Sequence, residues 1–200
     1  MEVLAESILK FWFGDINSDG TVDAEKSKRW FKKDEIFDKS IERVYGSYLD
    51  TAGMGGLDRW ANDPQAMTAL IVMLDQFPRN IYRGLEKSFI YDKKALALAN
   101  LAVDKNYYKE VPAVFAYFQT MPFMHSEDIK MQDKAIKQFE WLIENTEGDT
   151  KKMMEMALEF SHKHRVIIEK FGRFPHRNAA LYRESTAEEV EFLKGQDSSF

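Results

Sequence analysis

Two short segments of the chain carry the same residue types in the same order. Residues 77–83 read Phe-Pro-Arg-Asn-Ile-Tyr-Arg, and residues 174–183 begin Phe-Pro-His-Arg-Asn and end Leu-Tyr-Arg. Arginines at helix ends can hold a carboxylate or phosphate through two parallel N–H bonds, so the pair predicts an anion-binding cleft. The alternative is structural, because Arg and Asn side chains also satisfy the last carbonyls of a helix. The candidate ligand-binding residues are Arg79, Asn80, Arg173, Arg177 and Asn178.

A histidine follows the apolar stretch that ends at Met124, and polar residues come directly after it. We expect His125 to lie just before a helix N-cap, where free N–H groups bind anions. A histidine near a carboxylate is also a candidate general base. The alternative is a local helix cap with a surface histidine. The candidate catalytic residues are His125 or His176 as proton carrier, with Glu127 or Asp75 orienting the ring.

Two further patterns are typical of metal sites, and both are incomplete. Glu159 and His162 have the Glu-x-x-His spacing of di-iron helical bundles, but the sequence has no second such pair. The loop from Asp15 to Asp23 matches a calcium-binding loop at its first positions, yet Lys26 stands where a bidentate Glu is needed. We therefore predict no metal and no cofactor, and calcium binding by the loop stays open against a solvated turn. His164 lies on an apolar stripe and is expected to be a hydrogen-bonded core histidine.

Composition narrows the classes of function. The net charge of −5 argues against a general nucleic-acid binder, because neutralising phosphates needs a basic face. The absence of cysteine excludes disulfides and thiolate chemistry and fits a reducing compartment. The longest apolar run, residues 69–74, is far shorter than the roughly 20 residues of a membrane span. No apolar leader follows Met1, so we expect a soluble cytoplasmic protein without a membrane partner.

Helical periodicity runs through the chain, and no segment alternates like a strand. We predict one all-α domain over residues 1–200, an antiparallel array of about 8–10 helices joined by short loops. Pro78 and Pro122 are expected to end helices, because proline removes a donor and crowds the preceding turn. Helix starts are predicted from capping signals at Asp34, Asp63, Ser126 and Ser185.

Several longer motifs occur together: residues 11–14, 30–31, 74–80, 122–128 and 171–178. With these motifs the chain resembles a bacterial family called domain of unknown function 924, over nearly its whole length from Ile8 to Phe192. The resemblance implies an all-helical fold similar to tetratricopeptide-repeat domains, and it supplies no activity. One departure is at Ala179 and Ala180, where the family more often has a Gly beside the Arg.

Two functions follow from the residues, and a third reading is structural. In the first, the two Phe-Pro segments and His125 line one cleft for a small anionic ligand, which requires them to lie within roughly 15 Å of each other. In the second, a helical-repeat scaffold binds a peptide or protein through exposed Trp12, Trp30 or Trp60. In the third, the polar motifs only stabilise the fold, and Arg79→Ala would cost stability without affecting binding.

Overall fold

The computed structural model describes residues 2–195, which form an all-α array. Among these residues there is no β-strand beyond one isolated bridge between Ile16 and Val22. No helix in this part of the chain is long and apolar enough to cross a membrane. The predicted all-α class is thus confirmed. The helices are α1 (Val3–Phe13), α2 (Ala24–Phe31), α3 (Glu35–Gly53), α4 (Pro64–Ile71), α5 (Phe77–Ile81), α6 (Asp92–Asp104), α7 (Ala113–Met124), α8 (Ile129–Glu144), α9 (Gly148–Phe171) and α10 (Ala187–Phe192).

Aspartate side chains cap the starts of α3 and α4, as the sequence predicts. The carboxylate of Asp34 accepts from the backbone N–H groups of Ile36 and Phe37. Asp63 likewise accepts from the N–H groups at the start of α4, at 2.8 and 3.0 Å. These bonds satisfy donors that have no partner inside the helix.

The other two capping predictions are wrong in position. The N-cap of α8 is Asp128, not Ser126, so His125 is the C-cap of α7 and does not directly precede an N-cap. The capping box of α10 uses Thr186 and Glu189, one residue later than predicted. The shift arises because Glu189 at the third helical position can reach back to the N-cap N–H, which its neighbour Glu188 does not do.

Neither proline ends its helix, which corrects the prediction for both. Before Pro78 the chain widens into a π-turn over Val72–Gln76 and then continues as α5. In a π-turn the backbone hydrogen bonds join residues five apart instead of four. This spacing makes room for the proline ring and does not call on the N–H that proline lacks. Pro122 lies inside α7, where packing by α4, α6, α8 and α9 outweighs the lost hydrogen bond.

The core is rich in aromatic side chains, and the three tryptophans expected on the surface lie inside it. Trp12, Trp30 and Trp60 are only 1%, 5% and 2% exposed. Trp12 and Trp30 both pack edge-on against Phe118 of α7, with ring centroids 5.8 and 4.9 Å away. The expectation of exposed tryptophan anchors for a protein partner is therefore wrong, since these rings fill the centre of the helical array.

A smaller apolar cluster anchors the C-terminal part of the chain. Ile167 and Ile168 at the end of α9 pack with Phe174, which is fully buried. Gly172 ends α9 in the left-handed conformation that glycine adopts without strain, and the chain turns back there. This turn carries the second Phe-Pro segment, including the short 3-10 helix Pro175–Arg177, back toward the other helices.

Candidate functional site

A buried carboxylate and a histidine form a hydrogen-bonded pair where the π-turn meets the end of α7. Nδ1 of His125 lies 2.8 Å from Oδ1 of Asp75, whose side chain is 1% exposed. The other oxygen of Asp75 accepts from Nε2 of Gln76 at 2.6 Å. An ionised carboxylate only accepts hydrogen bonds, so Nδ1 of His125 carries the proton and the neutral ring keeps its lone pair on Nε2.

Arg79 joins the Asp75–His125 pair to a second carboxylate, that of Asp92. Nη1 of Arg79 lies 3.3 Å from Oδ1 of Asp75, one helical turn away. The same guanidinium group binds Asp92 at the start of α6 through two bonds of 2.9 and 3.0 Å. Arg79 is thus held by two carboxylates in the planar geometry that guanidinium groups favour.

Arg177, the second arginine near this pair, is buried between aromatic rings. Arg177 is 7% exposed, and its guanidinium group lies between the rings of Phe89 and Phe174, 4.7 and 4.5 Å from their centroids. Its closest ion pair is a long one, 3.6 Å from Nη1 to Oδ2 of Asp92. Within residues 2–195 its side chain makes no hydrogen bond, and its Nε atom is fully buried. A buried cation with unused donors is a strong candidate for binding an anion.

Burial and charge set the protonation states at the centre of the cluster. Burial by itself would raise the pKa of Asp75, but Arg79 and His125 outweigh it and lower that pKa to about 2. Burial and the Arg79 cation lower the pKa of His125, while Asp75 opposes the shift. At neutral pH the pair is therefore a carboxylate and a neutral imidazole, the state required of a general base.

Two other histidines lie close to this centre. Burial and Arg177 lower the pKa of His176 to about 4, and the His176 ring lies 5.4 Å from that of Phe174. The ring of His164 also packs edge-on against Phe174, and its Nδ1–H donates to the carbonyl of Phe160 at 2.8 Å. His164 is therefore the buried, hydrogen-bonded histidine that its position on the helix predicts.

Glu127, a candidate for orienting a histidine, instead holds the second Phe-Pro segment. Its carboxylate accepts two bonds from Arg183, of 2.8 and 3.0 Å, and one from the backbone N–H of Phe174. Arg183 also donates to the carbonyl of Phe174 at 3.0 Å. These contacts fix the turn that presents Arg177, so Glu127 acts on the cluster through the backbone.

Three candidate ligand-binding residues lie outside the cluster, each paired with a local partner. Arg173 binds Glu189 through two bonds of 2.6 and 2.8 Å, which ties α10 to the turn after α9. Asn178 also donates to Glu189 and accepts from Arg183. Asn80 donates to Asp38 of α3 at 2.7 Å. These contacts tie parts of the fold together, but through carboxylates and side chains rather than through the helix-end carbonyls that the structural alternative named.

The structure thus brings together four of the candidate residues from three separate parts of the sequence. Asp75, Arg79, His125 and Arg177 are linked through contacts of 3.6 Å or less, with Asp92 as the bridge. Asp92 is a member of this cluster that the sequence patterns do not indicate. Its only sequence signal is an acidic residue at a helix start, which occurs in many helices that have no functional role.

In the loop from Asp15 to Asp23, which partly matches a calcium-binding loop, the polar groups bond to nearby residues of the chain. Oδ1 of Asp19 accepts from the N–H and hydroxyl of Thr21, and Asp23 caps α2. Asp15 pairs with Lys10. In the part of the chain that the structure describes, no three His, Asp or Glu side chains are placed to hold a metal ion, and this holds for Glu159 and His162 as well.

Two surface cavities lie near the predicted features. One, of about 710 Å³, borders the polar loop and is lined by Lys10, Lys26 and Tyr45 among others. The other, of about 530 Å³, lies beside Glu127 and Ile168. Neither is lined by the Asp75–His125 pair.

The fold and this cluster define an all-α protein with a buried Asp–His pair flanked by two arginines. The chain belongs to the family described as "Bacterial protein of unknown function (DUF924)", whose model matches residues 8–197. It is similar to the solved structure of a protein of unknown function, ATU0120, from Agrobacterium tumefaciens. The two are 33% identical with a TM-score of 0.80, and the match covers 96% of this chain and 98% of that one. Comparison with curated proteins gives no match.

Proposed function

We propose that the protein binds a small anionic compound at Arg177 and Arg79 and that His125, oriented by Asp75, exchanges a proton with the bound compound. The observation that carries the proposal is the guanidinium group of Arg177, which is 7% exposed and forms no hydrogen bond among residues 2–195. Leaving such a group unsatisfied costs free energy, so a site of this kind is stabilised by an anion that supplies the missing acceptors.

The geometry of the Asp75–His125 pair supports the proton-transfer part. Asp75 fixes the tautomer, and the lowered pKa of His125 keeps the ring able to accept a proton at neutral pH. The side chain of His125 is 13% exposed, so part of it reaches the surface. We also propose that the protein is cytoplasmic, as expected from its sequence. The alternative of a peptide-binding scaffold loses its main support, because the tryptophan rings are buried.

Thermal unfolding in the presence of small carboxylates and phosphate monoesters tests the binding part. A compound that binds the folded state raises the melting temperature as its concentration exceeds its Kd. We expect the rise in the wild type and in Arg43→Gln, a matched change at an exposed arginine of α3. In Arg177→Gln the affinity should fall roughly 10- to 100-fold, as expected when charged hydrogen bonds are removed. Equal stabilisation of all three proteins would contradict the proposal.

The proton-transfer part is tested with any compound found in this way. His125→Gln should bind it with little change, because the glutamine amide retains a donor and an acceptor. The rate of proton exchange between the bound compound and solvent should fall roughly 100-fold or more, the usual contribution of a general base. An unchanged exchange rate in His125→Gln would reject the catalytic role and leave the binding role intact.

A further inference from the structure

One side chain of the protein already occupies the position of an anion between the two arginines. Asp92 is the first residue of α6, and its two oxygens face Nη1 and Nη2 of Arg79 at 2.9 and 3.0 Å. One of the same oxygens lies 3.6 Å from Arg177. This parallel arrangement is the way a guanidinium group binds a ligand carboxylate.

The charges of the cluster balance only when one negative charge lies between Arg79 and Arg177. Arg79 and Arg177 supply two positive charges, Asp75 and Asp92 supply two negative charges, and the His125 ring is neutral. Uncompensated charge is strongly unfavourable at buried positions. A ligand that takes the place of Asp92 with a single negative charge keeps the balance, whereas a phosphate dianion leaves one negative charge in excess.

We propose that the group recognised at this site is a single carboxylate of the ligand, which displaces the carboxylate of Asp92 from Arg79 and Arg177. This inference rests on the proposed function and names the class of compound that the site takes. Asp92 is then an internal competitor that keeps the two arginines neutralised until the ligand arrives.

The surroundings of Asp92 allow it to move. Its side chain is 22% exposed, and the segment before it presents Leu85 and Ile90 to solvent, 57% and 58% exposed. A different rotamer would turn the carboxylate to water without unfolding α6. The charge remains favourable there, because acidic side chains at a helix start interact well with the helix dipole. Arg79 keeps its contact with Asp75 after the exchange.

The test compares acetate with methyl phosphate, which is mainly a dianion at pH 8 because its second pKa is about 6. Binding is followed at constant ionic strength by NMR of the Arg177 side-chain N–H and the His125 ring. The proteins are the wild type, Asp92→Asn, and Asp104→Asn as the control, since Asp104 is an exposed residue at the other end of α6. Melting curves verify that each variant is folded.

We expect acetate to bind more tightly than methyl phosphate in every protein. Asp92→Asn should tighten acetate binding by about tenfold or more, because the internal competitor loses its charge. Asp104→Asn should not change it.

Three results would overturn the inference. Equal acetate affinity in the wild type and Asp92→Asn would reject Asp92 as a competitor and leave the proposed function standing. Tighter binding of methyl phosphate would reject the single carboxylate. Absence of binding of either anion to the wild type and to Asp92→Asn would reject both proposals. If Asp92→Asn does not fold, the preference of the wild type between the two anions decides the ligand class.

Discussion

Arg79 and Arg177 come from the two similar Phe-Pro segments, and both approach the same carboxylate of Asp92, at 2.9 and 3.6 Å. The two guanidinium groups also share the ring of Phe89, whose centroid lies 5.8 Å from Arg79 and 4.7 Å from Arg177. The repeated motif therefore forms two sides of one buried cluster. Its two arginines differ in one respect, because Arg79 is saturated by carboxylates while Arg177 is not.

Asp75 should contribute strongly to stability. In Asp75→Asn, Arg79 and His125 lose a charged partner that is 1% exposed, and breaking a buried ion pair typically costs about 3–5 kcal/mol. Urea denaturation measures the change in the free energy of unfolding. Asp149→Asn removes an exposed pair with Lys152, which solvent screens, and should cost much less. Similar losses in the two variants would show that the buried cluster contributes little.

His125 should remain neutral at a pH where a free histidine is largely charged. Burial and Arg79 lower its pKa below the ordinary value, in spite of the opposing effect of Asp75. Nitrogen-15 NMR of the imidazole rings during a pH titration should therefore show His125 gaining its second proton at a lower pH than a free histidine, and the neutral ring should carry its proton on Nδ1. A titration at or above the pH of a free histidine, or a neutral ring with its proton on Nε2, would contradict the arrangement with Asp75.

His164 should make the protein less stable in mild acid. Burial lowers its pKa to about 3 in the folded state, against about 6.5 in the unfolded chain. Between these values the unfolded state binds the extra proton, so stability falls as the pH decreases. The loss from His164 between pH 7.5 and 5.5 is about 1.4 kcal/mol.

The free energy of unfolding at the two pH values, measured by urea denaturation, checks this expectation. The pH dependence should weaken in His164→Gln. It should persist in His162→Gln, because His162 is exposed on the same helix. If the two variants show the same pH dependence as the wild type, another group is responsible.

Two glycines of α3 should respond to alanine in opposite directions. At Gly46 an added Cβ meets no atom closer than 3.6 Å, so Gly46→Ala should stabilise the helix by roughly 0.5–1 kcal/mol. At Gly53 the added Cβ would overlap the ring of Tyr91, whose hydroxyl donates to Asp50 at 2.6 Å. Gly53→Ala should destabilise the protein by about 1–3 kcal/mol, the usual cost of overpacking. Thermal unfolding of both variants distinguishes the two effects, and a shift of the same sign in both would contradict the packing at Gly53.

The helical class and several helix starts can be predicted from local sequence patterns. Apolar residues recur with the helical period, and Asp34 and Asp63 carry their capping signal in their own side chains. Such signals are local, because each depends on residues within one or two turns. The prolines were misjudged for the same reason. A local rule ends a helix at Pro78 or Pro122, whereas tertiary packing keeps both segments helical.

Which of the polar candidates share a site depends on how the helices pack in three dimensions. Arg79 and Arg173 have the same residue type beside a Phe-Pro step, yet one lies against Asp75 and the other binds Glu189 of the last helix. Asp92 belongs to the cluster, although its sequence context predicts only a helix start. Charges far apart in the chain meet because helix packing brings them together, and that proximity depends on the whole core rather than on any local pattern.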